Sequence, residues 1–424
     1  MTAQQLTETS TLLPTTGSSR TPSTGSSLTG CIFNFTNSIV GAGCIGLGGA
    51  IASSGGLISI VAILGFAILS KLSFDLLIDL SECCAAGTSY EHLASQTCGR
   101  LGLVAVSVSR FIYAYGCLVA YIKIVDDNFA SAIEGMTGRS FNEHLVTFSL
   151  SATIILPLSL MRDVALLERV SFLKLVVVVC ILATIISLYP ANHRADGGTF
   201  QTHWIEVQPG VIQSLGTFVF TFVAQHVVHL TYTSLKPEIR TASNWRFVST
   251  LTMVIATTLS LAMALSVYVT FWEQASSNIF HLYPPSIPLN MAKLLLSFMM
   301  MFTYPLPFLA CRELAIISIP KSPSVGGETE KWWLLERKQL ILPLHILVTV
   351  LLWSTSTVLA LLVPSLGDVL NLVGCVSGTM IAFILPAIFS FRLKGYTHLA
   401  GLIFLVGGTV GMVGTIFSFQ MILS

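Results

Sequence analysis

The sequence predicts an all-α membrane protein of about 11 transmembrane helices, on three observations. Of its 424 residues, 53% are hydrophobic and only 10% charged, where a soluble domain carries about 25%. Mean hydropathy is +0.80. Apolar runs long enough to cross a bilayer, about 20 residues each, follow one another with short polar breaks. A soluble fold would need one vast dry core for so much apolar surface, whereas lipid buries each helix separately.

The runs lie near 31–52, 57–81, 102–125, 145–161, 170–189, 210–231, 247–271, 290–319, 341–363, 368–391 and 397–421. Residues 1–28 form a Ser/Thr/Gly/Pro tail with too little apolar surface to fold alone. They are expected to be a disordered cytoplasmic tail ahead of a membrane domain over 29–424. Orientation follows from the placement of Lys and Arg. With the N-terminus cytoplasmic, thirteen of the 21 fall in cytoplasmic segments and two, Arg139 and Arg194, on the opposite side. The other six (Lys71, Arg110, Lys123, Lys174, Lys293, Arg312) sit within or at the ends of spans. An odd number of spans then places the C-terminus outside or in a lumen. No charged stretch leads into an apolar core at the N-terminus, so no cleaved signal peptide is expected.

Composition excludes whole function classes. A net charge of +1 offers no grip on nucleic acid. Most of the nine cysteines lie in apolar runs, without metal-type spacing apart from the adjacent Cys83 and Cys84, and read as small packing residues. No nucleophile–base pair, phosphate loop or metal cluster stands out, and the longest polar loop, 320–340, leaves no room for a catalytic domain. The chain is therefore expected to be no enzyme, to use no cofactor and to build its function within its helices, among membrane lipid.

The first span contains NSIVGAGCIGLGG over 37–49, with five glycines in nine residues (Gly41, Gly43, Gly46, Gly48, Gly49). Each weakens a helix by roughly 1 kcal/mol against alanine. Two explanations stand: a small-residue face for close packing, or an unwound midpoint whose free amides meet a carboxylate and whose free carbonyls meet a cation. Asn34 and Asn37 favour the second, since buried amides at that level need partners. The sixth span carries Gln225, His226 and His229 in apolar surroundings. If spans 1–5 and 6–10 are inverted repeats, it is the counterpart of the first, and interruptions in both halves point to a transporter binding site. The histidines read equally as packed hydrogen-bonding residues or as a functional pair. In the eighth span Thr303 and Tyr304 precede Pro305 and Pro307. Prolines free nearby carbonyls, and a hydroxyl beside them suits a hard cation; the plainer reading is a kink with the threonine bonded to its own preceding turn. Lys71, Asp75 and Asp79 share one face of the second span and read as a structural or gating ion pair, as do Arg312 and Glu313.

These motifs resemble the sodium-coupled neutral amino acid transporters (the system A/N group) of the amino acid/auxin permease superfamily, over about residues 30–420. The resembling blocks are FNFTNSIVGAGCIGL at 33–47, GTSYEHL at 87–93, LPLSLMRD at 156–163, FTYPLPFLACREL at 302–314, VPSLGDVLNLVGCVSG at 363–378 and FILPAIF at 383–389. HVVHLTYTSLKPEIRTASNW at 226–245 is closer to partly lysosomal members than to the plasma-membrane type. The resemblance implies a LeuT/APC-like fold: a 5+5 inverted repeat plus one helix. It implies an amino-acid carboxylate held by first-span amides around Ser38, Gly41, Ala42 and Gly43, and a cation site at Asn37 and Thr303. The chain departs from the family where Gly48 and Gly49 follow Leu47 in place of a proline, and where Val227 follows the sixth-span histidine.

The function this predicts is secondary active transport of neutral amino acids by alternating access, coupled to Na⁺. The first and sixth spans would rock against a scaffold of the third, fourth, eighth and ninth, with unwound carbonyls or the His226 region receiving the substrate amino group. Two rivals stand beside it. One couples the same fold to H⁺ through His226 or His229, as an amino acid transporter or exporter of an endolysosomal or vacuolar membrane. The other is a non-transporting amino acid sensor that signals through its tail. Glu8 to Leu13 resembles the acidic dileucine sequences read by sorting adaptors, so the membrane of residence is expected to be either the plasma membrane or an endolysosomal or vacuolar one.

Overall fold

The computed structural model describes residues 25–84, 89–161, 165–192, 201–317 and 342–423, and their side chains except at 165–173, 190–192, 316–317, 342 and 421–423. The tail with Glu8 to Leu13 and the 320–340 loop lie outside the described residues. Within them the chain is helical, with no strand. Its sixteen helices fall in chain order onto the eleven runs.

The first run is split into α1 (Leu28–Ile39) and α2 (Ala42–Ser54), bent by 52°. Then come α3 (Gly56–Cys83), α4 (Tyr90–Thr137), α5 (Glu143–Leu150) with α6 (Leu156–Leu160), and α7 (Ala165–Asn192). The sixth run is split again, into α8 (Val211–Thr221) and α9 (Gln225–Ser234). After it follow α10 (Ala242–Phe271), α11 (Ile287–Thr303) with α12 (Pro305–Ile317), α13 (Leu342–Leu362), α14 (Leu366–Val373) leading through two π-helical turns into α15 (Leu385–Lys394), and α16 (His398–Leu423). Among the described residues nine helical stretches are long and apolar enough to span a membrane, and the bent α1–α2 pair makes a tenth. The remaining run, α7, contributes an apolar stretch at Lys174–Tyr189. The chain is an all-α multi-pass membrane protein.

Helix starts sit where short polar side chains can accept from the first amides. Ser27 accepts from Gly30 N at 3.2 Å, Asn142 from Leu145 N at 3.0 Å and Thr241 from Asn244 N at 3.3 Å. Both ends of the third span differ from the sequence expectation of 102–125. The third span was expected to end at 125, yet α4 continues to Thr137. The charges near the expected end are paired: Lys123 Nζ lies 3.3 Å from Asp126 and 3.0 Å from Asp127, and His144 Nδ1 lies 3.2 Å from Asp126. At its other end α4 turns sharply at Gly99, whose φ of 60° favours glycine, so Tyr90–Cys98 forms a separate helical arm.

α4 is the spine of one half of the bundle, with α11, α12 and α13 packed along it. Arg312, buried on α12, donates to Ser159 O at 2.9 Å and to Thr349 Oγ1 at 3.4 Å, tying α12 to α6 and α13. Hydrogen bonds from a charged donor contribute about 1.5–3 kcal/mol each. Arg312→Met should therefore lower the unfolding temperature of the detergent-purified protein by several degrees; an unchanged melting curve would remove this cluster from the scaffold. In the other half, Asp75 on α3 meets Lys71 at 2.7 Å and accepts from Ser249 Oγ on α10 at 2.8 Å. One turn on, Arg246 reaches Asp79 at 3.2 Å. The expected Lys71–Asp75 pair is thus a structural tie.

Candidate functional site

The first span breaks at Val40 and Gly41. α1 closes on Val40 N–H donating to Thr36 O at 2.9 Å, and α2 opens with a tight turn from Cys44 N to Gly41 O at 3.1 Å. A helix leaves its first amides without partners inside itself, and no side chain caps those of α2. The amides of Ala42 and Gly43 therefore point their positive ends into the break. On the other side, α1 presents its last carbonyls.

The sixth span breaks at Phe222–Ala224. Here the side chain of Gln225 turns back, and its Oε1 accepts from Ala224 N at 3.1 Å. The freed Val223 carbonyl accepts from Tyr113 Oη, on α4, at 3.2 Å. The Tyr113 ring lies against Phe220 (centroids 5.2 Å apart) and His226 (5.3 Å). His229, one turn along, stacks on Tyr90 at 6.0 Å, and its Nε2 lies 2.7 Å from Ser81 Oγ.

The two breaks face one another because glycine lets the backbones touch. A Cβ on Gly43 would stand 2.6 Å from Thr221 Cα and 2.8 Å from its Oγ1. One turn on, a Cβ on Gly46 would stand 3.6 Å from Thr217 Cγ2 and run into Leu370 Cδ1. Gly48 abuts Val267, and Gly49 the backbone at Ser276 and Ser277. Close packing and interruption are both present, at different positions: Gly43, Gly46, Gly48 and Gly49 make room for neighbours, and Gly41 stands at the interruption.

Buried polar atoms in folded proteins almost always have partners. Twelve buried side-chain nitrogen and oxygen atoms lack one among the described residues. Five of them belong to the two broken spans: Thr36 Oγ1, Asn37 Oδ1, Gln225 Nε2, His226 Nδ1 and His229 Nδ1. Unsatisfied donors and acceptors thus gather at the two facing helix breaks.

The residues expected from sequence are distributed as follows. Gly41 lies in the break and Ala42 and Gly43, both buried, open α2 beside it, while His226 lies at the second break beside Tyr113. Ser38 is exposed and donates to Asn34 O at 3.0 Å. Asn34, expected to be buried level with Asn37, is exposed; the two stand about 60° apart around α1, and the edge of the buried side falls between them. Thr303 donates to Met299 O at 2.7 Å, in its own preceding turn. Its oxygen lone pairs stay available in that geometry, and no hydrogen bond joins it to Asn37 among the described residues. What reaches Asn37 is Lys174: its Nζ donates to the Asn37 carbonyl at 2.9 Å. The same ammonium would lie 3.5 Å from a Cβ on Gly41, with Tyr121 Oη at 3.9 Å. Sequence reasoning passed over Lys174, Tyr113 and Tyr121. The signal for Lys174 was present, a single cation in the apolar stretch SFLKLVVVVC; nothing in the sequence marks the two tyrosines.

Comparison with known proteins agrees with this architecture. The family model described as "Transmembrane amino acid transporter protein" matches residues 24–421. The chain belongs to that family. Among its relatives are proteins provisionally named sodium-coupled neutral amino acid transporter 11. The Rattus norvegicus protein is 26% identical over 406 residues, covering 92% of this chain and 84% of the relative. The Danio rerio protein is 27% identical over 408 residues (92% and 86%), and the Homo sapiens protein 26% over 361 (82% and 83%). As a member of that family, the chain is a transmembrane amino acid transporter, and the breaks at Gly41 and Val223 are where its first and sixth spans depart from continuous helical hydrogen bonding.

Proposed function

We propose that this transporter moves neutral amino acids by alternating access, with the substrate held between the two helix breaks. The observation that carries the reading is the set of five partnerless buried polar atoms on the facing broken spans. The amides of Ala42 and Gly43 receive the α-carboxylate, and freed carbonyls with the Gln225–His226 pair surround the amino group. The side chain is left to Tyr113, Phe220 and His226, whose rings form one cluster. The halves that move are α1–α2 and α8–α9 with their partners; α4, α11, α12 and α13 with α5–α6 stay as the scaffold. The distribution of Lys and Arg supports a cytoplasmic N-terminus, which sets the Glu8 to Leu13 segment where sorting adaptors of the endolysosomal route act.

Coupling has two readings. The relatives' names favour Na⁺, for which Asn37 and Thr303 are the proposed ligands. Lys174 on the Asn37 carbonyl favours the second, transport that does not use Na⁺ there.

Uptake of labelled amino acids by proteoliposomes containing the purified chain tests the function itself. Small neutral amino acids should enter saturably, and acidic or basic ones at least tenfold more slowly. His226→Ala should raise KM about tenfold and reorder the preferred side chains, with little change in protein yield. Saturable binding without any accumulation or exchange would instead identify a sensor.

A further inference from the structure

We propose that the Lys174 ammonium is the cation of this site, a charge carried by the protein in the position where a transported metal ion would otherwise sit. The proposal rests on the transport reading above and extends it to the coupling ion.

The argument starts at the end of α1. A helix ending in the middle of a membrane offers carbonyl oxygens, and the negative end of its dipole, to a cation. At this helix end the Asn37 carbonyl already receives Lys174 Nζ at 2.9 Å. Nζ also stands 3.5 Å from the point where a Cβ on Gly41 would be, so the ammonium lies in the break itself. A metal ion using the same carbonyl would share its oxygen with a like charge, with little water to screen the repulsion.

Comparison with the other in-span cations sharpens the assignment. Lys71, Arg110 and Lys123 each meet a carboxylate, at Asp75, Glu91 and Asp126 with Asp127. Lys293 donates to Ser131 Oγ at 2.8 Å and Arg312 to Ser159 O, ties between helices. Lys174 alone reaches the break of a discontinuous helix, and among the described residues no acidic side chain bonds it. The titratable groups facing it are the thiols of Cys44 on α2 and Cys117 on α4, with Tyr121 Oη near Gly41. From α1 it meets a backbone carbonyl. α10 and α11, also packed on α7, send it no charged partner among the described residues. A buried lysine in a membrane with so few partners is a functional residue by default.

The placement has a transport consequence. The ammonium lies beside Gly41, the residue before Ala42 and Gly43, so it adds positive charge where the substrate carboxylate would arrive. Being tethered, it returns with the empty protein and carries no metal ion across. Na⁺ is then neither bound at this position nor needed for turnover.

The test uses the full chain in proteoliposomes, with counterflow of labelled neutral amino acids in NaCl and in choline chloride. Wild-type rates should agree within twofold in the two salts. Lys174→Met should lose at least tenfold in both, and Lys174→Arg, which keeps the charge, should retain more than the methionine variant. A wild-type rate that falls tenfold without Na⁺, or a Lys174→Met variant as active as wild type, overturns the proposal. A second measurement does not depend on transport: titrating the detergent-purified wild type with NaCl against choline chloride should give the same unfolding temperature in both. A rise specific to Na⁺ reveals a metal site and overturns the proposal even if no amino acid moves. Absence of counterflow in every salt, with no Na⁺-specific rise, removes the transport reading and leaves the ammonium's occupancy standing.

Discussion

Valine in place of Gly374 is expected to leave almost no folded transporter, with the monodisperse peak on size-exclusion chromatography reduced at least tenfold. Gly374 opens the π-helical turn after α14, and its Cα faces Gly216 on α8 so closely that an added Cβ would overlap the Gly216 carbonyl. The reciprocal holds: a Cβ on Gly216 would overlap the Asn371 carbonyl. Backbone meets backbone, so no side chain can rotate out of the way. Overpacking of ordinary cores costs about 1–3 kcal/mol, and here the relief must come from separating whole helices. The same crossing carries a polar chain through the sixth, tenth and eleventh spans: Gly216 N donates to Asn371 Oδ1 at 2.8 Å, Asn371 Nδ2 to Ser418 Oγ at 2.8 Å, and Ser418 Oγ to Gly414 O at 2.7 Å. Moving α8 off α14 breaks the first of these bonds inside the protein. Gly408→Val on α16 is the control, because a Cβ there meets nothing within 4 Å. Equal yield and unfolding temperature for the two variants would refute the crossing as the constraint.

The second large effect concerns function more than yield. Gly43→Ala should lower amino acid uptake by about two orders of magnitude while much of the protein still reaches the membrane. One methyl group at Gly43 would stand 2.6 Å from Thr221 Cα, so α2 and α8 must part where their breaks face each other. A displacement near one ångström at a site that positions its substrate costs about a hundredfold in rate. Gly41→Ala is the comparison. Its methyl would meet Lys174 Nζ at 3.5 Å and Tyr121 Oη at 3.9 Å, ordinary contact distances, so uptake should fall by less than tenfold. If Gly41→Ala proves the more damaging, the packing explanation of Gly43 fails.

These cases show how far the residues could be read without coordinates. The spans were legible because burial in lipid imposes a minimum apolar length on each helix independently. Both broken helices were legible because glycine clusters and polar side chains are costly in such a helix and so stand out. The ending of α4 was not: Lys123, Asp126 and Asp127 look like a loop until their mutual pairing, and the approach of His144 from α5, are seen. Asn34 and Asn37 look equivalent along the chain, and only the rotation of α1 in the bundle separates exposed from buried.

The amino-acid sequence determined the class of protein, the order of its apolar helices, and the two spans in which an interruption was to be looked for. Each of those follows from local chemistry, the transfer of a short segment from water to lipid. Tertiary structure alone decided which of five glycines is the break and which four are contacts, that Tyr113 satisfies the carbonyl freed at Val223, and that Lys174 reaches the carbonyl of Asn37, 137 residues away along the chain. Those facts depend on how helices rotate and cross, which is fixed by packing summed over the whole bundle and written in no single segment.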